Sequence, residues 1–498
     1  MSESHIRLFH FDRSGVQYSP LLNFHDDPHT FVRLVLGLSS SDELDIGLDA
    51  SIQWTIENGR KVGGTIRTRG PNNQDTIYPL AQIEPIFFRG SIRGRSTTCW
   101  RVRDPANGEQ LIVKDSWRSE VRFSEHIFLE RAVGVPGVVQ MVNFEPDRCE
   151  TKTLRGLCNA FPPEFHNRIE SRIVMKTYGK TVEKYTSAKQ LFCALRDAIA
   201  GHKELFKKGT LHRDVSPHNV LLGKQGADLG YRGILIDFDM AVQRSLNTPA
   251  NWRMGTRLYQ SIAVLNSCTV PHPLPHDHLD DLESFLYILV HLMFTYDSKG
   301  VAHVVDEMLI RWDKQRHDCR MAAMLKEAYL STDFMPPEIE ARWPSPCVDL
   351  IIAFNTYLYP IMHRKMKLDQ LSPTVRNKGE KELAADAIQH YTHILQLFDT
   401  AIEALDKPGS WSSSDSSLEK FLKEYENANQ SGPSSGRQPA SNLFQLSRNP
   451  LKRASDGHPN DQPPAKRFNS PRSSSSSSGS TIEPTPRRKN GRFAPNPR

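Results

Sequence analysis

The spacing of apolar positions changes character along the chain, and the changes divide it into parts. Residues 1 to about 75 carry one apolar segment, Phe31-Val32-Arg33-Leu34-Val35-Leu36-Gly37-Leu38, followed by a polar, glycine-dotted stretch to Asn73. One short apolar element buries too little area to offset its ordering entropy, so this part is expected to pack on a larger domain. From Tyr78 to Asn143 short apolar runs predict strands at Ile86-Phe87-Phe88, Cys99-Trp100-Arg101-Val102 and Leu111-Ile112-Val113-Lys114. A helix follows, with Phe123, Ile127, Phe128 and Ala132 at helical spacing and Gly134 and Pro136 closing it, and Ile173-Val174-Met175 reads as a further strand. Helical periodicity then takes over. Thr186 or Ser187 can cap a helix carrying Leu191, Leu195, Ile199 and Leu205 on one face and ending at Gly209. Leu282 to Phe294 is apolar on nearly every side, the pattern of a helix buried at the centre of an α-rich unit. Leu383, Ala387, Tyr391, Ile394, Phe398, Ile402 and Leu405 predict one last helix, terminated by Lys407-Pro408-Gly409. The expected organisation is an ancillary extension at 1–77, a strand-rich unit at 78–175, a helical unit at 176–408 and a Ser/Pro-rich basic tail at 409–498, disordered after about Asn429.

Composition sharpens this division. At 498 residues the chain exceeds what one core usually supports, and its mean hydropathy of -0.50 is that of a water-soluble protein. The seven cysteines never fall in a C-x-x-C spacing and read as free thiols in a reducing compartment. The longest apolar run, Phe285 to Phe294, falls short of the roughly 18 residues of a membrane span, and Met1 to Arg7 lacks a signal-peptide core, so an intracellular protein with no membrane partner is expected. From Ser431 to Arg498 there are 12 Lys/Arg and 3 Asp/Glu, a balance of +9, so the net charge of +6 leaves the first 430 residues at -3. The basic character belongs to the tail.

The candidate chemistry lies in Leu211-His212-Arg213-Asp214-Val215-Ser216-Pro217-His218-Asn219 and in Ile236-Asp237-Phe238-Asp239. An aspartate, an asparagine five positions on and a second aspartate after an apolar run are the oxygen groups that phosphoryl transfer uses: one carboxylate accepts the proton of a hydroxyl, while the others hold Mg²⁺ against a nucleotide. His272, His276, Asp277, His278, Asp280 and Asp281 have metal-ligand chemistry, but a loop leading into the apolar helix is the preferred reading.

In order and spacing these motifs resemble the protein kinase fold over residues 80 to 405. More narrowly, Phe31 to Leu38, Val113-Lys114-Asp115-Ser116-Trp117-Arg118, His212-Arg213-Asp214-Val215-Ser216 and Asp280-Asp281-Leu282-Glu283-Ser284-Phe285 are similar to the fungal-type protein kinase family. The resemblance implies that Lys114 clamps the α and β phosphates and pairs with Glu125, with Glu120 and Glu130 as alternatives. It implies Asp214 as catalytic base, Asn219 and Asp237 as metal ligands, Met175 behind the adenine with Thr177 in the adjoining hinge, and Asp281 as anchor of the catalytic loop. Arg213 would dock an activation-segment phosphate, for which Ser245 and Thr248 are the candidate acceptors.

Several positions depart from the kinase pattern. Gly94 is the one glycine of the phosphate loop, Ile92 and Thr97 standing at the other two places. Ser216 replaces a lysine that would stabilise charge on the transferring phosphoryl group, and Asp239 replaces a glycine. Gly255-Thr256-Arg257-Leu258-Tyr259-Gln260-Ser261-Ile262 is similar to the segment end in casein-kinase-type enzymes and lacks the usual glutamate bridge to the last helices, so the helical unit must be held otherwise.

The expectation is an α+β, two-lobed protein kinase-like fold, a small β-rich lobe and a larger α-helical one, with an N-terminal extension and a disordered tail. Its activity is expected to be ATP- and Mg-dependent transfer to Ser/Thr of protein substrates, of low rate. A pseudokinase acting as a binding module and a small-molecule phosphotransferase of the aminoglycoside or choline kinase type are the alternatives. Lys452-Arg453, Lys466-Arg467 and Arg487-Arg488-Lys489 suit an import receptor, giving a nuclear or cytoplasmic location. Direct nucleic-acid binding is not expected, because no aromatic residues interleave these clusters.

Overall fold

A computed structural model describes residues 4–42, 46–156, 161–314, 318–332 and 335–407. The tail, with its expected disorder and its basic clusters, and Cys158 lie outside the described residues.

The architecture is mixed α/β. Its main sheet is five-stranded and antiparallel, in the order Met141–Glu145, Arg168–Lys176, Gln110–Ser119, Thr98–Arg103, Phe87–Phe88. Alternation along these strands separates two faces. Leu111, Val113 and Val174 face a small core with Trp100, Val102, Ile66 and Tyr78, whereas Ile173 and Met175 face a larger core with Phe128 and Leu129 of the Glu125–Arg131 helix.

Ile66 and Tyr78 come from a three-stranded sheet, Ile52–Glu57, Arg60–Arg69 and Asp75–Pro79, that covers the outer face of the main sheet. Each such buried side chain contributes about 1.5–3 kcal/mol to holding the N-terminal segment on the main sheet. A polar tie accompanies the apolar one. Fully buried Arg172 donates to Asp115 at 2.6 and 3.0 Å on its own sheet, and to Ser51 Oγ and Arg67 O, both at 2.7 Å, in the covering segment. The Phe9–Asp12/Gly15–Tyr18 hairpin is attached by Asp12, whose carboxylate accepts from Arg155 at 2.6 and 2.8 Å. The apolar segment 31–38 lies in a helix, Pro28–Leu38, none of whose residues is buried.

The rest of the described chain is predominantly helical. Ser187 caps the Ala188–Lys207 helix by accepting from Gln190 N, and Gly209 at φ +79° follows its end. The central helix, His278–Thr295, is buried at every residue and starts a turn before the apolar run, because Asp277 and Asp280 form a capping box. The expected last helix is two: Pro373–Ala385 carries Leu383, and Ala387–Leu405 begins after a break at Asp386 that the apolar period crosses in phase. Ala387–Leu405 packs on Ala188–Lys207, with Arg196 Nε 2.8 Å from Asp399. On the other side of Ala188–Lys207 runs the short strand Gly233–Leu235, so close that a Cβ on Gly233 would stand 1.8 Å from Ala194 O. No helix among the described residues is long and apolar enough to cross a membrane.

Candidate active site

The loop after Thr210–Leu211 is shaped from below by one buried carboxylate. Asp281, in the first turn of the central helix, accepts from His212 N and Arg213 N, both at 3.0 Å, and bonds His202 Nε2 at 2.8 Å and His276 Nε2 at 3.0 Å. Burial alone would raise Asp281, but the bonds and charge of His276 and His202 outweigh it and hold the carboxyl well below its usual range. These contacts keep Arg213 at φ +66°, a left-handed conformation that a long side chain adopts only when its surroundings impose it. His212 Nδ1 accepts from Asp214 N at 3.3 Å, so its Nε2 donates to Ile236 O at 2.9 Å and ties the loop to the strand end before Asp237.

Asp214 is buried, and its Oδ1 accepts from Thr256 Oγ1 at 2.7 Å. Asn219 Nδ2 donates to Asp214 O at 2.8 Å, which leaves the Asn219 carbonyl oxygen as the group it offers to a ligand. Burial and the charge of Asp237 push Asp214 above the usual carboxylate range, so it holds a proton more readily than a surface aspartate does.

Lys114 is placed by the sheet, paired across to Cys99 on one side and Ile173 on the other. Its Nζ lies 2.7 Å from Glu125 Oε2, 2.7 Å from Asp237 Oδ1 and 3.3 Å from Asp239 Oδ1. Of the three glutamates considered, Glu125 meets the lysine; Glu120 and Glu130 are exposed. Glu125 Oε1 also accepts from Phe238 N at 2.9 Å, which links the short helix to the segment after Asp237. Asp237 itself sits at φ +68°.

Two cations are set against these three carboxylates, Lys114 in contact with all of them and Arg95 3.2 Å from Asp239. Burial and the neighbouring Asp239 and Asp237 push Glu125 up to about 8 even though Lys114 is in contact, while Lys114 is held charged and Asp237 stays well below its usual range. Oxygens of Glu125, Asp237 and Asp239 lie within 4.8 Å of one another, a cluster suited to a hard divalent cation. In the histidine-rich stretch at the start of the central helix the candidate ligands are already partnered by other side chains. Lys365 Nζ lies 2.7 Å from both Asp277 and Asp280, and His278 is bonded to His390 at 2.9 Å.

Lys114, Glu125 and Asp237 thus form one bonded set, Asp214 and Asn219 with Arg213 on Asp281 another, and His212 to Ile236 O and Ile236 N to Asn219 O link the two beside Asp237. Gly94, Met175 and Thr177 stand outside both. Met175 is buried opposite Ile112, two residues from Lys114, and Thr177 Oγ1 donates to Gln110 O at 2.9 Å. Gly94, at φ +122° in open space, donates its N–H to Arg13 O at 3.1 Å.

Three basic residues enter unannounced by the motifs. Arg95 follows Gly94 and reaches Asp239 at 3.2 Å. Arg122 Nη1 and Nη2 each lie 2.7 Å from a sulfur, of Met240 and Met254, and with Arg213 and Thr248 they line a 460 Å³ cavity. Burial and the like charges of Arg213 and Arg95 push Arg122 down to about 10. Arg213 Nε is buried with no hydrogen-bond partner among the described residues.

Lys326 is the third. Its Nζ donates to Leu258 O at 2.9 Å and Gln260 O at 2.6 Å, while Glu283 Oε1 accepts from Ile262 N at 2.8 Å and from Tyr287 Oη at 2.6 Å. Together they hold the Gly255–Ile262 segment where the expected glutamate bridge is missing. The only trace in the sequence was Glu283 inside an apolar helix, a buried charge in need of partners.

No curated protein matches the chain at a significant level. The family model described as fungal protein kinase matches residues 1–152 and 145–293, the covering N-terminal segment together with the main sheet, the loop carrying His212 to Asn219 and most of the central helix. A match over more than half of its length places the chain in the fungal protein kinase family.

Proposed function

We propose that the chain is an ATP- and Mg²⁺-dependent protein kinase that transfers the γ-phosphoryl group to serine or threonine of a protein substrate, with the sheet-bearing and helical parts acting as the two lobes around the nucleotide. The observation that carries this reading is the bridge from Lys114 to Glu125 and Asp237, set beside an Asp214–Asn219 loop anchored on a buried aspartate. Asp237 and Asn219 would hold Mg²⁺, and the carboxylate oxygens clustered around Lys114 fit such a cation. When bound, the metal would neutralise phosphate charge.

The chain's own residues do the rest. Lys114, held charged, binds nucleotide phosphate, and Glu125 fixes its position. Asp214, oriented by Thr256, accepts the proton of the attacking hydroxyl. Met175 and Thr177 line the adenine side and Gly94 lets the backbone approach the phosphates. The cavity between Arg122 and Arg213 takes the phosphate of modified Thr248, which lies in its wall.

A thermal-shift titration with nucleotide and Mg²⁺ tests the binding half of this reading. Stabilisation by ATP-Mg²⁺ that is weakened by Asp237→Asn more than by Asp214→Ala supports it. No stabilisation at millimolar nucleotide would favour a fold retained for binding other proteins.

A further inference from the structure

The catalytic loop has a gap in its charge. Ser216, standing where the kinase pattern has lysine, is fully buried, and its hydroxyl has no hydrogen-bond partner among the described residues. It cannot bring a cation to the phosphoryl group. The phosphate loop is bent sharply, with Gly94 at φ +122° and Ser96 at φ +44° on either side of Arg95. Two backbone bonds fix that bend: Trp117 N donates to Arg95 O at 2.8 Å, and Gly94 N donates to Arg13 O at 3.1 Å. Arg13 Nη1 also donates to Ile92 O at 3.2 Å, so the turn of the N-terminal hairpin braces the loop.

The bend turns Arg95 into the site. Its side chain is 22% exposed and Nη1 lies 3.2 Å from Asp239 Oδ2, and the charges of Asp239, Asp237 and Asp214 all act on it. A guanidinium held among the groups named for metal binding and for proton transfer stands where negative charge develops during phosphoryl transfer. Asp239, at the place of a glycine, gives it an anchor that a glycine could not.

We propose that Arg95 is the cation that contacts the γ-phosphoryl group, supplying from the phosphate loop the charge that Ser216 does not, and that Asp239 parks it when no nucleotide is bound. The inference rests on the phosphotransfer reading above. In the step it serves, the substrate hydroxyl oxygen bonds to the γ-phosphorus, the bond from that phosphorus to the β,γ-bridging oxygen breaks, the hydroxyl proton passes to Asp214, and ADP leaves. Arg95 forms no covalent bond in it. Its planar fork faces phosphate oxygens, with more of the contact realised as their charge grows.

Calorimetric affinities of the full chain for a non-hydrolysable ATP analogue and for ADP, both with Mg²⁺, test this. Arg95→Met should weaken the analogue about tenfold or more relative to ADP, since one charge-assisted contact to the γ-phosphate is lost. Arg95→Lys should recover part of that difference. The Arg95 carbonyl bond to Trp117 survives either change, and urea unfolding verifies that both variants fold. Equal weakening of both nucleotides, or of neither, overturns the assignment while leaving the ATP reading intact. A parent chain that binds neither nucleotide overturns both.

Discussion

Lys326→Met removes the amine that holds the Gly255–Ile262 segment and keeps nearly the same volume. Two carbonyls, the half-buried Leu258 O and the buried Gln260 O, then lose their donor at a cost of about 1–3 kcal/mol each. The contact of Nζ 3.8 Å over the Tyr287 ring is lost as well. Relief from burying the amine offsets part of this, because burial is what pushes Lys326 down to about 7. The net loss expected near neutral pH is about 2–4 kcal/mol. A pH signature accompanies it. With the folded group near 7 and the unfolded one at its ordinary 10.5, the unfolded chain binds the extra proton between those values. Lys326 therefore adds stability as pH rises from about 7 towards 10, and that contribution is lost as pH falls back through 7. The gap between parent and variant in urea unfolding should widen from pH 7 to pH 9. Because Thr256 in the same segment orients Asp214, phosphate incorporation should fall with it. A variant as stable as the parent at both pH values, with unchanged incorporation, would refute the reasoning.

Asp281→Ala leaves His212 N and Arg213 N without their buried acceptor and should cost about 3–5 kcal/mol in urea unfolding and abolish activity. Phosphate on Thr248, read by mass spectrometry of the active protein, should accompany activity, and Thr248→Ala should lower the rate more than Ser245→Ala, because Thr248 lines the arginine cavity and Ser245 does not. A fluorescent fusion should be enriched in the nucleus. Replacing Lys452, Arg453, Lys466 and Arg467 with alanine should shift it to the cytoplasm without altering catalysis.

Much of the scaffold was legible because it rests on local rules. Ser187 caps its helix through a side-chain oxygen, and the central helix is apolar all round because it is buried all round. Glu125 was the preferred partner of Lys114 among three glutamates, and the short helix beginning at Glu125, immediately after Ser124, brings it there. The N-terminal sheet escaped notice because glycines 63 and 64 interrupt Arg60–Arg69 and only one face of that strand is covered, at Ile66 and Thr68. The direction of Arg95 follows from positive φ at its neighbours, and the roles of Lys326 and Arg122 follow from contacts far away in sequence. No local pattern encodes those.

The central claim is that this constellation transfers phosphate. Incorporation from γ-labelled ATP into a generic protein substrate, comparing the parent with Asp214→Ala and Asp237→Asn under Mg²⁺, tests it most directly. The account predicts incorporation on serine and threonine by the parent and at least a hundredfold loss in both variants, since each removes a group acting on the reacting atoms. Parent incorporation no higher than that of Asp214→Ala would contradict it.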